Sequence, residues 1–390
     1  MKFSARSQAV TPFYAMEFGK KAAALEAAGI PVVKLNIGEP DFGAPPAFLA
    51  QVRRICDGRP LPYTGALGLP ELRAAIAQFS ASRLHAPVDP DRVVVTTGAS
   101  AALLLACAAL IDPGDEVLVA DPSYPCNRRF AESFGARVRL LPTDAASRFQ
   151  LTADMVDDAW GPDTRGVMVA SPSNPTGTSL AWPELTELTA RVAGRGGWRI
   201  VDEIYLALAD DGPGGPARSV AQHDPGAVVV NSFSKYFGLT GWRLGWAVLP
   251  PEMVPVAEKL AQNYYICPPT PAQIAALTCF DPETIALAED RRAVLRERRT
   301  LVCEALARIG LPVPVLPDGA FYVYVDVAGT GLTASEFCEL ALDRARVALT
   351  PGKDFGEAGA ERYVRLSYAT ADDQLALGLE RLGELMASLG

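Results

Sequence analysis

The sequence predicts an α/β fold: a large domain whose mostly parallel sheet is sandwiched by helices, plus a smaller α+β domain. Three observations carry this expectation. Short β-branched runs alternate with longer alanine- and leucine-rich stretches through the middle of the chain. After about Asp281 the texture changes to a long charged helical stretch followed by isolated strands. The chain has 390 residues, 49% of them apolar and 21% charged, which is enough to bury two or three compact units.

The elements follow in order. Residues 14–28 carry a helical pattern, ended by the breakers Gly29 and Pro31. Strands are predicted at 93–97, 116–120, 138–141, 166–170, 199–201, 228–231 and 244–248. Helical stretches at 101–110, 126–134 and 184–193 lie between them. Farther on, helices are predicted at 282–309, 334–346 and 371–389, and strands at 321–325 and 364–367.

Composition narrows the function classes. A net charge of −9 and an acidic pI disfavour a nucleic-acid or anionic-membrane surface, which would need a basic face. The longest near-apolar run, 99–111, is too short to span a bilayer, and no apolar stretch follows the N-terminal Lys2 and Arg6. Seven scattered cysteines never take metal-ligand spacing, so no metal site is expected and a reducing cytoplasm is. The two histidines, His85 and His223, sit in unrelated loop contexts, so acid–base work falls to another side chain.

The most informative segment runs from Asn231 to Trp246. Lys235 directly follows an apolar strand, is preceded by Ser232 and Ser234, and is followed eight residues later by Arg243. A lone lysine at a strand end is ordinarily a surface residue. Here two hydroxyls and a guanidinium fork would bind a phosphate beside an amine nucleophile, as a pyridoxal 5′-phosphate (PLP) enzyme requires. Lys235 would hold the cofactor as a Schiff base and move the substrate α-proton. Upstream, Asp202 ends an apolar strand, at the edge where open α/β sheets bind ligands. Its carboxylate could pair with a protonated pyridine nitrogen, and Tyr205 could hydrogen-bond the ring oxygen.

Weaker signals converge on the same edge. Asn174, in the turn Ser171-Pro-Ser-Asn-Pro-Thr-Gly177, is a second candidate donor to the ring oxygen. Gly98, Ala99 and Ser100 open a helix after a strand, offering backbone N–H groups and a hydroxyl to an anion. Tyr124 could stack on the ring. A competing pattern, Gly329-Thr-Gly-Leu-Thr-Ala334, is like a dinucleotide fingerprint, but the required acid after a second strand is replaced by Leu349-Thr-Pro-Gly352.

Taken together and in this order, the motifs resemble the class I/II aminotransferases of PLP fold type I, which are like aspartate aminotransferase. The resemblance runs from Leu35-Asn-Ile-Gly-Glu-Pro-Asp-Phe42, through Tyr63-Thr-Gly-Ala-Leu-Gly-Leu-Pro-Glu-Leu-Arg73, to Tyr363-Val-Arg-Leu-Ser-Tyr368. It implies that Gly38 contacts substrate through its backbone, that Tyr63 reaches the partner subunit's cofactor phosphate, and that Arg365 grips the substrate α-carboxylate. Strand alternation agrees, since Arg365 faces opposite to Val364 and Leu366. The resemblance further implies an N-terminal segment 1–44 joining the small domain, a large PLP-binding domain 45–281 and a small domain 282–390, assembled as a homodimer with shared active sites. The implied reaction is ping-pong transfer of an amino group between an L-amino acid and a 2-oxo acid. A PLP-dependent C–S β-lyase would share every cofactor contact, and a non-catalytic PLP-binding regulator is the alternative from another class. Phe13, Tyr14, Tyr264, Tyr265 and Phe321 suggest an aromatic substrate pocket, and no second carboxylate clamp stands out, which points toward neutral substrates.

Overall fold

Alternation along the strands sorts their side chains onto two faces of one sheet. The computed structural model describes residues 1–4, 7–8, 10–211 and 217–389. The chain opens with α1 (Tyr14–Ala27), β1 (Val33–Lys34), α2 (Pro46–Ile55) and α3 (Pro70–Arg83). The main sheet then forms from β2 (Val93–Thr96), β3 (Glu116–Asp121), β4 (Arg137–Pro142), β5 (Thr164–Ala170), β6 (Trp198–Asp202), β7 (Val228–Ser232) and β8 (Gly245–Val248). Its order is β2-β8-β7-β6-β5-β3-β4, with β8 antiparallel to both neighbours and the other pairs parallel. Val93, Val95, Leu118, Val167, Val169, Val201, Val229, Trp246 and Val248 enter one buried cluster; the intervening Val94, Val117, Val119, Met168, Ile200, Val228, Val230 and Ala247 enter another. Each such fully buried aliphatic side chain contributes roughly 1.5–3 kcal/mol.

Helices cover both faces: α4 (Ala99–Leu110), α5 (Pro125–Ser133), α6 (Ala153–Ala159), α7 (Trp182–Gly194), α8 (Val254–Tyr264) and α9 (Thr270–Ala276). Sequence patterning missed α2, α3, α6, α8 and α9. All but α6 carry proline in the first two positions, where its missing N–H has no intrahelical partner to lose.

Beyond the sheet, α10 (Pro282–Arg308) leads into β9 (Tyr322–Asp326), α11 (Ala334–Leu340), β10 (Val347–Ala348), β11 (Thr350–Pro351), β12 (Tyr363–Ser367) and α12 (Asp372–Leu389). The helix expected over 334–346 is a correction: α11 stops at Leu340, a π-type turn covers Ala341–Ala345, and Arg346 is left-handed at φ 56°. Strands β11, β12 and β9 form an antiparallel sheet, and β1 pairs in parallel with β10, Val33 opposite Val347. The N-terminal segment is thereby tied to the C-terminal unit. Among the described residues no helix is long and apolar enough to cross a membrane, and no group of histidine, cysteine and acidic side chains could hold a metal.

Candidate active site

Parallel strands end at one edge, so the side chains just past them share a space. Ala170 ends β5, Asp202 ends β6 and Ser232 ends β7, while Ala99 and Ser100 open α4 just after β2. Because β8 returns antiparallel, Ser232 lies in register with Gly245. The connection carrying Ser234, Lys235 and Arg243 therefore starts and finishes at this edge. A cavity of about 370 Å³ lies there, and Ala99, Ser100, Tyr124, Asn174, Asp202, Tyr205, Ser232, Ser234, Lys235, Arg243, Gly38 and Arg365 all line it.

The amine of Lys235 donates to the Gly38 carbonyl at 2.7 Å. It lies 5.8 Å from the Tyr205 ring centre and 5.7 Å from that of Phe321. Burial lowers its pKa to about 8, against the opposing pull of Glu39. Asp202 is buried, with Oδ1 accepting from the Ile204 N–H at 3.0 Å. Burial raises its carboxyl to about 6, and the Ile204 bond and the Lys235 charge act in the other direction. The Ser232 and Ser234 hydroxyls are 2.9 Å apart. Arg243 is left-handed (φ 52°), and its Nη1 donates to the Thr240 carbonyl at 2.8 Å. Gly98 does not line the cavity itself but backs the Arg243 fork: a Cβ there would lie 2.7 Å from Nη2.

Arg365 is held by side chains and backbone of its own chain. Its Nη1 donates to Asn174 Oδ1 at 2.9 Å and its Nη2 to the Asn36 carbonyl at 2.7 Å. The guanidinium carbon is 4.5 Å from the Tyr322 ring centre and 4.9 Å from that of Phe355. Its Nε is buried with no hydrogen-bond partner among the described residues. The arginine as a whole lines the cavity, where a guanidinium can meet an anionic ligand.

Several residues were invisible to sequence reasoning. Tyr322 shares a 2.8 Å hydroxyl–hydroxyl bond with Tyr205 and lines the cavity, as do Asn36, Glu39, Met16, Asp354 and Phe355. Strand β9 is buried at every position, so no alternation marked Tyr322 as the inward residue. Of the suggested aromatic pocket, Phe13 lines the cavity and Tyr14, Tyr264, Tyr265 and Phe321 do not. Phe321 instead packs edge-on against Tyr205 at 5.4 Å, and Tyr264 is exposed. Tyr63 is 76% exposed and does not line the cavity of its own chain. His223 packs edge-on against Trp182, away from the cavity. The fingerprint-like 329–334 segment is a turn closed by a capping box between Thr333 and Glu336 at the start of α11.

Comparison with known proteins agrees with this geometry. Residues 30–382 match the family described as aminotransferase class I and II. The chain is 40% identical over 380 residues, 97% of each chain, to a Mycobacterium tuberculosis protein named valine–pyruvate aminotransferase. It is 35% identical over 391 residues, 98% of each chain, to the aspartate/prephenate aminotransferase of Thermus thermophilus. Among solved structures, an aminotransferase from M. tuberculosis superposes with a TM-score of 0.95 at 39% identity over 100% of both chains. The T. thermophilus aspartate aminotransferase with maleate gives 0.92 at 32% identity, over 99% of this chain and 100% of that one. The chain belongs to the class I and II aminotransferase family.

Proposed function

We propose that this aminotransferase uses PLP to move the amino group of a neutral aliphatic L-amino acid to a 2-oxo acid, with pyruvate as an acceptor. The observation that carries the substrate class is the cavity's charge inventory: its cationic side chains are Lys235, Arg243 and Arg365. One suits the cofactor amine linkage, one the phosphate and one the α-carboxylate, which leaves no cation of this chain for a second substrate carboxylate. The 40% identity to a relative named for valine and pyruvate supports the same reading.

The donor set fits the cofactor. A phosphate dianion asks for a guanidinium, hydroxyls and free N–H groups, supplied by Arg243, Ser100, Ser232, Ser234 and the first turn of α4. When bound, PLP supplies an electron sink for the carbanion at the substrate Cα. Asp202 would hold the pyridine nitrogen protonated, while Tyr205 and Asn174 would donate to the ring oxygen and Tyr124 would cover a ring face. Lys235 Nζ would take the Cα proton and return it one position along, and Arg365 would hold the carboxylate so that the Cα–H bond meets the amine. The backbone carbonyl of Gly38, now the acceptor of the Lys235 amine, would bind substrate once that amine is engaged.

We further propose a homodimer in which Tyr63 serves the partner's phosphate, and a division into 1–44 with 282–390 as the small domain and 45–281 as the large one. The exposed apolar side chains Leu61, Tyr63 and Ile266 support an interface there. Seven free cysteines support a reducing, cytoplasmic compartment. The test is a panel of amino acids and 2-oxo acids assayed for both keto-acid exchange and ammonia release. Valine–pyruvate exchange is expected; ammonia with pyruvate from a cysteine conjugate, without exchange, overturns the reading in favour of a β-lyase.

A further inference from the structure

The first turn of α1 lacks a cap of its own. The residue before it is Phe13, whose side chain makes no capping hydrogen bond. The acceptors come instead from the far end of the chain: Asp354 Oδ1 accepts from the Tyr14 N–H at 2.9 Å and Oδ2 from the Ala15 N–H at 3.2 Å. Asn36 Nδ2 ties the same turn from another side, donating to the Ala15 carbonyl at 2.9 Å. The backbone carbonyl of Asn36 is in turn the acceptor for Arg365 Nη2. Asp354 is buried and lines the cavity; half-buried Phe13 and Ala15 and the 64% exposed Met16, all from the turn it caps, line it too.

We propose that Asp354 is a positioning residue: it caps α1 from outside and holds Phe13, Ala15 and Met16 as the wall that reads the substrate side chain. The inference rests on the neutral-substrate reading above. A carboxylate facing the positive end of a helix satisfies two donors that no intrahelical carbonyl can reach. Without it the first turn frays, since these N–H groups have no other partner among the described residues, and Phe13 loses its place in the wall along with the backbone that carries Met16. Asn36 links the two halves of recognition, because its backbone fixes the arginine that would hold the carboxylate and its side chain fixes the wall that would meet the side chain.

The experiment compares four variants: Asp354→Asn, Asp354→Ala, Tyr14→Pro and Tyr14→Ala. Proline fits the first helical position and removes one of the two N–H groups that Asp354 accepts, leaving that of Ala15; Phe13, at φ −69° and ψ 127°, is already extended as a residue before proline must be. Tyr14→Ala keeps that N–H and controls for the lost ring. Two measurements are made on the cofactor-loaded proteins, amide hydrogen exchange over residues 15–18 and kcat and KM for valine and alanine with a common 2-oxo acid. In Asp354→Ala, exchange should quicken and the valine-to-alanine ratio of kcat/KM should fall, each about tenfold, with the loss in the KM for valine; Tyr14→Pro, which keeps the Ala15 bond, should move both the same way by about threefold. Asp354→Asn should be intermediate and Tyr14→Ala like wild type. Unchanged exchange and selectivity in Tyr14→Pro and Asp354→Asn overturn the proposal, as does an equal fall in kcat for both substrates with exchange unmoved. Should Asp354→Ala fail to fold, the two Tyr14 variants decide. If wild type transfers no amino group, the functional reading fails by itself, and the exchange data still settle whether Asp354 holds the turn.

Discussion

Replacing Gly38 by alanine tests how tightly the cavity floor is packed. A Cβ built on Gly38 would lie 3.1 Å from Tyr322 Cζ and well inside the contact radius of the hydroxyl oxygen. That hydroxyl is also the partner of Tyr205 at 2.8 Å, so the ring cannot swing aside without breaking a buried bond. Overpacking of this kind costs about 2 kcal/mol. Tyr322→Phe alone deletes one hydroxyl–hydroxyl bond, worth about 1 kcal/mol. Independent effects would sum to about 3 kcal/mol, but the second change removes the very atom that the first collides with, so the double variant should lose only about 1–1.5 kcal/mol. Urea unfolding of the four cofactor-free proteins measures this coupling. Activity should follow: the Gly38 carbonyl accepts from Lys235, and a shift of a few tenths of an ångström in that segment should lower kcat about tenfold or more in Gly38→Ala. Strict additivity of the two stability losses refutes the steric argument.

Three other outcomes follow from the site. Asp202→Ala should still capture the cofactor on Lys235 but slow α-proton removal by about two to three decades, read in single-turnover half-reactions; near-normal rates would exclude it as the pyridine partner. Burial holds the Lys235 amine at about 8 against 10.5 for an ordinary lysine, so the unfolded chain binds the extra proton between those values and the cofactor-free protein gains stability as pH rises through them, by on the order of 3 kcal/mol relative to Lys235→Met. Urea midpoints of the two proteins should diverge from pH 8 upward, and a constant difference contradicts the burial argument. Mixed dimers of Lys235→Ala with Tyr63→Phe should regain one site of wild-type rate if Tyr63 serves the other subunit; recovery no higher than the Tyr63→Phe homodimer level shows that it acts within its own chain.

The legible part of this protein was the part encoded in short contiguous stretches. Lys235, its serines and Arg243 lie within twelve residues, and Asp202 and Tyr205 within four, so residue types and strand ends sufficed to place them together. The sheet was legible because its strands are apolar runs bounded by turn residues. Asp354 and Asn36 could not be read in this way. Asp354 acts on a helix 340 positions earlier, and Asn36 holds Arg365 through a backbone carbonyl that carries no residue signature, while its side chain reaches a helix 21 positions earlier. Tyr322 was hidden for another reason: β9 is flanked by protein on both faces, so its period-two signal vanishes. The break at Leu340 escaped because Ala341–Ala345 has good helix formers, and the left-handed Arg346 that ends the turn is set by the β1–β10 pairing that follows.

The stacking of Arg365 between Tyr322 and Phe355, with two of its nitrogens already engaged, gives the cavity a fixed origin. A flexible cation would follow a ligand wherever the rest of the molecule settled, and substrates of different size would slide to suit. In the proposed carboxylate role, an immobile one would pin every carboxylate to the same coordinates, so the remaining length of each ligand would be measured outward from that point toward the opposite wall. Selectivity then becomes a matter of distance, and it can be altered by moving the wall while the reacting carbon stays where the amine can reach it.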